Sequence, residues 1–296
     1  MSKVFEALQK AEKDKVVPKP TIQGPAPGTQ EEQEPIPAEV ASLASMLDRA
    51  REGQLPALSP WLLVYNRGYG QVVEQIKRLR THILHSHPGS EAPRVILVTS
   101  ASAGEGKSLV SANLAASIAQ GIRESAWLVD ADLRHGRLHR FFGMKPAPGL
   151  SDYLAGELDL EQVLRETGIQ KLSFIASGSN RENPIELISS ERMKSLVEKI
   201  RSQEEETFVV LDSTPALLTS EPRILAQMAD GVVFVVRHDL TPRNGLKEAM
   251  EYFPKEKILA LVFNDVPPQA LKLYGHAYGA YYYGGSYKPK DEKTRS

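Results

Sequence analysis

The sequence predicts an α/β fold, a mostly parallel β-sheet with helices on both faces. Three observations predict it. Six apolar runs of strand length recur between residues 95 and 263, each uniformly apolar rather than alternating, as strands covered on both faces require. The segments between them carry helical spacing, and strand–helix alternation builds a parallel sheet through crossovers. The carboxyl ends of four runs meet polar chemistry, at Thr99 onward, Asp130, Asp212 and Asn264. Ligands of such sheets sit at that rim.

The first run, Val95–Val98, enters a small-residue loop, Thr99 to Gly104. The loop closes as Gly104-Glu105-Gly106-Lys107-Ser108 and opens a helix from near Ser108 to about Gln120. Glycines let backbone N–H groups converge on phosphate oxygens, and the helix N-terminus adds its positive dipole end. Lys107 supplies a cation for the outer phosphates, and the Ser108 hydroxyl suits Mg²⁺. The spacing matches G-x-x-x-x-G-K-[ST] except that Ala101 holds the first glycine position. A glycine-rich turn with a solvated lysine would need no such order of strand, loop and helix. Ala103, Gly104, Glu105, Gly106, Lys107, Ser108 and Leu109, with Asn264 on the same rim, are therefore the expected nucleotide-binding residues.

Upstream, Gln71–Leu84 reads as a helix with Val72, Val73, Ile76, Leu79 and Ile83 as its buried stripe. Glu74, Lys77 and Arg80 line its other face at spacing three, which by composition alone is a solvated face. Downstream come the strand Ala126–Asp130, the basic stretch LRHGRLHRFFG and a helix over Asp159–Glu166. The strand Leu172–Ala176 and a helix from Pro184 to Arg201 follow, then the strand Phe208–Leu211. The helix Ile224–Met228, the strand Val232–Val236, the helix Pro242–Tyr252 and the strand Ile258–Phe263 complete the alternation.

Asp130-Ala131-Asp132 follows the second strand, and in extended chain alternate side chains point the same way. Two carboxylates beside a polyphosphate repel it unless Mg²⁺ lies between, so the pair indicates a metal-dependent site. Asp212 ends another strand. Alone it reads equally as a turn or helix-cap aspartate; beside Lys107 and Ser108 it reads as part of the metal shell. His135 and His139 have the spacing of a metal pair on a helix, but Arg134, Arg137 and Arg140 around them would repel a cation. The stretch reads as a basic patch near phosphate.

The formal net charge is −1 and there is no cysteine, which argues against a polyanionic partner, a disulfide framework and thiolate chemistry. The N-terminus has no apolar core of a secretory signal, and no apolar run approaches the ~20 residues of a membrane span. Val4, Phe5, Leu8 and Ala11 share one face of a short helix, tethered by the Pro-, Gln- and Glu-rich residues 16–37. It is either a docking helix or a frayed end. A second helix is expected from Ala38 to about Arg51. The domain boundaries that follow are 1–60 for the N-terminal segment, 61–265 for the nucleotide-binding domain with its helix at 71–86, and 266–296 for a tail.

That tail holds six of the ten tyrosines, Tyr274, Tyr278, Tyr281, Tyr282, Tyr283 and Tyr287, spaced by glycines and followed by a charged end. Its composition forbids a packed core. It is either an adhesive aromatic tail or a substrate, and a phenol of pKa ~10 needs a base of the kind Asp130 and Asp132 offer.

At this point the chain resembles the bacterial tyrosine kinases, cytoplasmic enzymes that work with a membrane adaptor in polysaccharide export. The resemblance runs from about Gln71 to the end. It rests on Ser102–Ser108 (a Walker A loop), Leu128–Arg134 (Walker A′), Val209–Pro215 (Walker B), the segments LHRFFG, GLSDYLAG, NPIELISSERM and ADGVVFVVR, and the tyrosine tail. It implies a P-loop fold of the MinD/ParA-like class that uses ATP and Mg²⁺ to phosphorylate tyrosine, with Lys107, Asp130 and Asp132 as catalytic residues. Asp130 accepts the phenolic proton, while Ser108, Asp132 and Asp212 hold the metal. Phosphorylation passes between subunits of a ring, and Glu74, Lys77 and Arg80 match the family's E-x-x-R-x-x-R subunit contact. The implied partners are the adaptor, other copies of the chain and a cognate tyrosine phosphatase, with no nucleic acid. The implied place is the cytoplasm, at the inner face of the membrane through the adaptor.

Three positions depart from the family pattern. Lys77 replaces an arginine and loses the bidentate fork, Glu221 stands where an aspartate is usual, and Thr214 replaces a proline. Two other readings stay open: a MinD/ParA-type ATPase switch, although Ser102 stands where that class carries an extra lysine, and a nucleotide-binding regulator without enzymatic activity. Six phosphotyrosines would add roughly −9 to −12 charges to the tail, so phosphorylation is expected to open the ring.

Overall fold

A computed structural model describes residues 58–66, 70–85, 92–202 and 206–267. The two helices expected before residue 52 and the tyrosine cluster lie outside the described residues.

The sheet has seven strands: β1 (Val95–Ser100), β2 (Ser125–Asp130), β3 (Leu164–Glu166), β4 (Leu172–Ile175), β5 (Thr207–Asp212), β6 (Gly231–Arg237) and β7 (Ile258–Asn264). Their order is β3-β4-β2-β5-β1-β6-β7, parallel throughout except for β3 against β4. Every residue of β1 and β5 is buried, which explains why those runs are apolar without alternation. The chain leaves β1 for β2 on one side and returns later to β6 on the other. The carboxyl end of β1 is thus a crevice between diverging connections.

Helices cover both faces. On one face Ile96 and Val98 pack against α2 (Lys107–Ala119), with Ile83 and Leu84 of α1 (Gly70–His85) and Phe142 in the same core. On the other, Val95 and Leu97 share a core with α6 (Glu191–Arg201), α7 (Glu221–Met228) and α8 (Arg243–Glu251). Eleven of the thirteen residues of α2 are buried, because the sheet lies on one side of it and α1 and residues 58–66 on the other. Its sequence is accordingly small and apolar all round. Residues 58–66 are strapped down by Asn113, which accepts from the Val64 N–H at 3.2 Å and donates to the Trp61 carbonyl at 2.9 Å.

Three expectations need correction. Val72 is 42% exposed, so the buried stripe of α1 is Ile76, Ile83 and Leu84. The segment Asp159–Glu166 is helical only over Leu160–Val163 (α4); its remainder is β3, drawn into the sheet edge by antiparallel pairing with β4. The stretch from Pro184 to Arg201 is two helices, α5 (Pro184–Ile188) and α6, because Ser190 caps the second by accepting from the Met193 N–H. A short helix, α3 (Leu150–Leu154), and a 3₁₀ turn over Leu138–Phe142 were not foreseen. The histidine pair consequently does not share a helix.

Candidate active site

The loop after β1 turns through two residues with left-handed backbone, Gly104 (φ 78°) and Gly106 (φ 94°). At Gly106 the freedom is required twice over, since a Cβ there would stand 2.0 Å from Nδ2 of Asn264. Lys107 and Ser108 then begin α2, whose N-terminus faces the rim.

Asp212 ends β5 beside them. Its two carboxylate oxygens accept from the Ser108 hydroxyl at 2.6 Å and the Ser111 hydroxyl at 2.8 Å. Asp130 ends β2 and is the register partner of Asp212 on the adjacent strand. Both are buried. Burial, and then the charge of Asp212, push the Asp130 carboxyl well above the usual carboxylate range. Burial raises Asp212 to about 6 against the hydroxyls of Ser108 and Ser111 and the charge of Lys107. Asp130 Oδ2 accepts from the Leu138 N–H at 3.1 Å, while Oδ1 is buried without a partner.

Asp132 is half-exposed in the turn beyond β2, where Oδ1 accepts from the Arg134 and His135 N–H groups. The strand alternation invoked to pair it with Asp130 does not apply, because β2 ends at Asp130. Its charge still acts on both Asp130 and Asp212, so the three carboxylates form one electrostatic group.

The loop residues divide in role. The Glu105 side chain is fully buried and turned from the phosphate side, accepting from the Thr241 hydroxyl at 2.6 Å. Asn264 spends its amide N–H on the Glu105 carbonyl at 3.0 Å. Arg237 donates to the Gly104 carbonyl and is held by Asp265 at 2.7 Å. The Glu105 side chain and Asn264, expected among the nucleotide contacts, are engaged with Thr241 and with the Glu105 carbonyl, bonds that brace the loop against β6 and β7. Thr241, Arg237 and Asp265 do so unforeseen, since no spacing links them to residues more than a hundred positions away. Glu221 receives Arg134 at 2.8 Å, with the carboxylate buried and the guanidinium partly exposed. This pair ties the turn after β2 to the start of α7.

These residues fit a nucleotide and a magnesium ion. The loop turns through two left-handed glycines into the start of α2, the Lys107 charge acts on Asp212, and Asp130 beside it keeps an unpartnered buried oxygen. Among the described residues no three His, Asp or Glu form a closed metal cage. Mg²⁺ needs none, being held by one or two carboxylates with phosphate and water. On α1, Lys77 pairs with Glu74 at 3.0 Å, while Arg80 donates to the Ser117 carbonyl at 2.7 Å. No helix among the described residues is long and apolar enough to cross a membrane.

Comparison with known proteins agrees with this geometry, although no family model matches the chain. It is 34% identical over 256 residues to the putative tyrosine-protein kinase EpsB of Ralstonia nicotianae, covering 84% of this chain and 33% of that protein. The chain therefore spans about a third of the length of that relative. It is 32% identical over 205 residues to the tyrosine-protein kinase YwqD of Bacillus subtilis, covering 69% of this chain and 85% of that protein. Among solved structures, the chimerical protein CapA2B2 superposes with a TM-score of 0.66 at 27% identity, over 75% of this chain and 99% of that one. The MinD subunit fold, in the MinC:MinD complex of Aquifex aeolicus, superposes at 0.50 with 19% identity, over 61% of this chain and 72% of that one, a likeness of fold alone. The fold is that of the MinD-like P-loop class, and the chain belongs to the family of bacterial tyrosine-protein kinases.

Proposed function

We propose that the chain is an ATP-dependent tyrosine autokinase. It phosphorylates the C-terminal tyrosines of a neighbouring copy, in the control of capsular or exopolysaccharide synthesis and export. One observation carries this reading: Lys107, Ser108, Asp130, Asp132 and Asp212 converge on one rim of the sheet in a chain of this family.

Magnesium-bound ATP supplies the terminal phosphoryl group. The backbone of residues 103–109 and the Lys107 ammonium hold the phosphates, the positive helix end adding to both. Ser108, Asp132 and Asp212 hold the cation, directly or through water. The Ser108 hydroxyl would be free to ligate the ion when one is bound, and Ser111 would keep the Asp212 carboxylate oriented. Asp130 Oδ1 takes the proton of the incoming phenol. A carboxyl raised by burial is a stronger base than one in water, and this Asp130 is raised by a neighbouring charge as well.

The acceptors are Tyr274, Tyr278, Tyr281, Tyr282, Tyr283 and Tyr287. Copies assemble as a ring through Glu74, Lys77 and Arg80. The Lys77–Glu74 pair and the Arg80 bond to Ser117 within the subunit weaken that contact, because a neighbour must compete with them. A membrane adaptor holds the ring at the inner face of the membrane, and a tyrosine phosphatase resets it; nucleic acid takes no part.

The test is mass spectrometry of tail peptides after co-expression with the adaptor. Phosphotyrosine is expected on the cluster and is lost by at least about a hundredfold in Lys107→Met, the scale of removing one transition-state electrostatic contact. ATP hydrolysis without phosphotyrosine would instead establish a switch, and nucleotide binding with neither would establish a regulator.

A further inference from the structure

The basic stretch after β2 has no role in the chemistry above. Arg134 is accounted for by Glu221. Arg137, Arg140 and Lys145 are exposed, and among the described residues no carboxylate pairs with any of them. Arg137 caps the 3₁₀ turn of Leu138–Phe142, and the Arg140 N–H bonds back to its carbonyl. Arg137 and Arg140 thus stand three positions apart on one anchored turn, both exposed. The Phe142–Phe174 contact, at 5.1 Å between ring centroids, fixes the turn on β4. The result is a rigid cationic strip beginning five residues past Asp132. Its field is felt locally: after burial, the charges of Arg140 and then Arg165 are what depress the His139 imidazole.

The described chain enters the domain at this strip. Leu58 packs in the same core as Phe142, and the Ser59 N–H donates to the Phe141 carbonyl at 2.8 Å. Leu58 and Ser59, where the described residues begin, thus lie against the turn that carries Arg140. In residues 1–57, Pro20 to Leu47 hold four glutamates, Glu31, Glu32, Glu34 and Glu39, and no lysine, arginine or aspartate. Twenty positions separate Glu39 from Ser59; with the helix expected to about Arg51 they span at most roughly 45 Å, so reach is no obstacle. Tethering adds an effective concentration on the order of millimolar, which makes weak exposed ion pairs sufficient.

We infer that Arg137, Arg140 and Lys145 form the docking surface for the acidic stretch Glu31–Glu39 of the same chain.

The absence of cysteine allows a clean test on the full chain. A nitroxide is attached at Gln33→Cys, and backbone amide intensities are read by NMR with the label oxidised and reduced. At low salt the amides of residues 135–145 should lose most of their intensity relative to the rest of the domain. The loss should vanish in Arg137→Glu/Arg140→Glu, and in about 0.5 M salt, where screening shortens to roughly 4 Å. Because both arginines are exposed, unchanged amides elsewhere report that the variant is folded. Three results would overturn the inference: full intensity along the strip, a loss that survives the charge reversal, or a loss produced by a label at Gly279→Cys and not by one at Gln33, which would make the tail the occupant. Mixing spin-labelled chain with isotope-labelled, unlabelled chain decides the last point. Broadening that appears only across chains would make the occupant a second copy and refute the same-chain contact. Kinase activity enters none of these readouts.

Discussion

At the scale of single residues, the most consequential side chains are carboxylates held by different means. Asp152 is buried; burial raises it, but the Ser179 hydroxyl, the Gly149 amide and Arg181 outweigh that and hold it below the usual range. A carboxyl depressed in the folded state contributes stability above its unfolded pKa and loses it as pH falls through the folded value. Asp152→Asn should therefore cost about 1–3 kcal/mol at pH 7, and the gap from the parent chain should close below about pH 4. Urea midpoints at several pH values check both statements. Glu221 makes a second case. It stands where the family pattern has an aspartate, and the structure gives it Arg134 as a partner. Glu221→Gln should free Arg134, loosen the turn that carries Asp132 and weaken Mg²⁺-dependent nucleotide binding more than metal-free binding. Equal losses, measured by titration with and without Mg²⁺, would assign Glu221 to stability alone. Lys107, Ser108, Asp130 and Asp212 were legible because their chemistry is local to a strand end. Thr241, Arg237 and Asp265 were not, because they meet the loop only through the sheet order.

Among the elements, the loop and α2 carry the clearest constraint. Gly106→Ala places a Cβ against Asn264 and a side chain at φ 94°. It should reduce nucleotide affinity about tenfold or more, the equivalent of roughly 1.4 kcal/mol. Asn264→Ala added to it should restore only part, since removing the clash leaves the backbone strain. Fluorescent-nucleotide titration reads both. The six parallel strands were found within two residues at each end, because each is an apolar run; β3 was not, since its three residues were read into a helix. The helices were less legible where they are short. Four residues of α4 cannot establish a period, and their continuation into β3 is decided by pairing with β4. The break between α5 and α6 was readable in principle, since Ser190 precedes Glu191 as a cap precedes an acidic first turn. The helical period of α1 was read correctly but not its burial: Val72 is exposed near the helix start, beyond the packing that covers Ile76 and Ile83.

Over the whole molecule, parallel order makes one rim of the sheet the meeting place of residues drawn from β1, β2, β5 and β7. The same order sends α1 to the far side of α2, where Glu74 and Lys77 pair with each other at the surface and Arg80 is held by the Ser117 carbonyl. A ring of the kind proposed, built on these charges, should respond to charge. Phosphorylation of the tail adds roughly −9 to −12 charges, and sedimentation should show the phosphorylated form as smaller oligomers; identical sedimentation of the two forms would remove the electrostatic argument. Transfer between copies is the central claim, and a mixing experiment tests it most directly. One chain carries Lys107→Met with its tail intact, and the other is active with its six tail tyrosines changed to phenylalanine. Neither alone can phosphorylate its own tail. Mixed with ATP, Mg²⁺ and the adaptor, they should yield phosphotyrosine on the tail of the Lys107→Met chain. A mixture that leaves that tail unmodified, while the parent chain phosphorylates itself under the same conditions, would contradict the account.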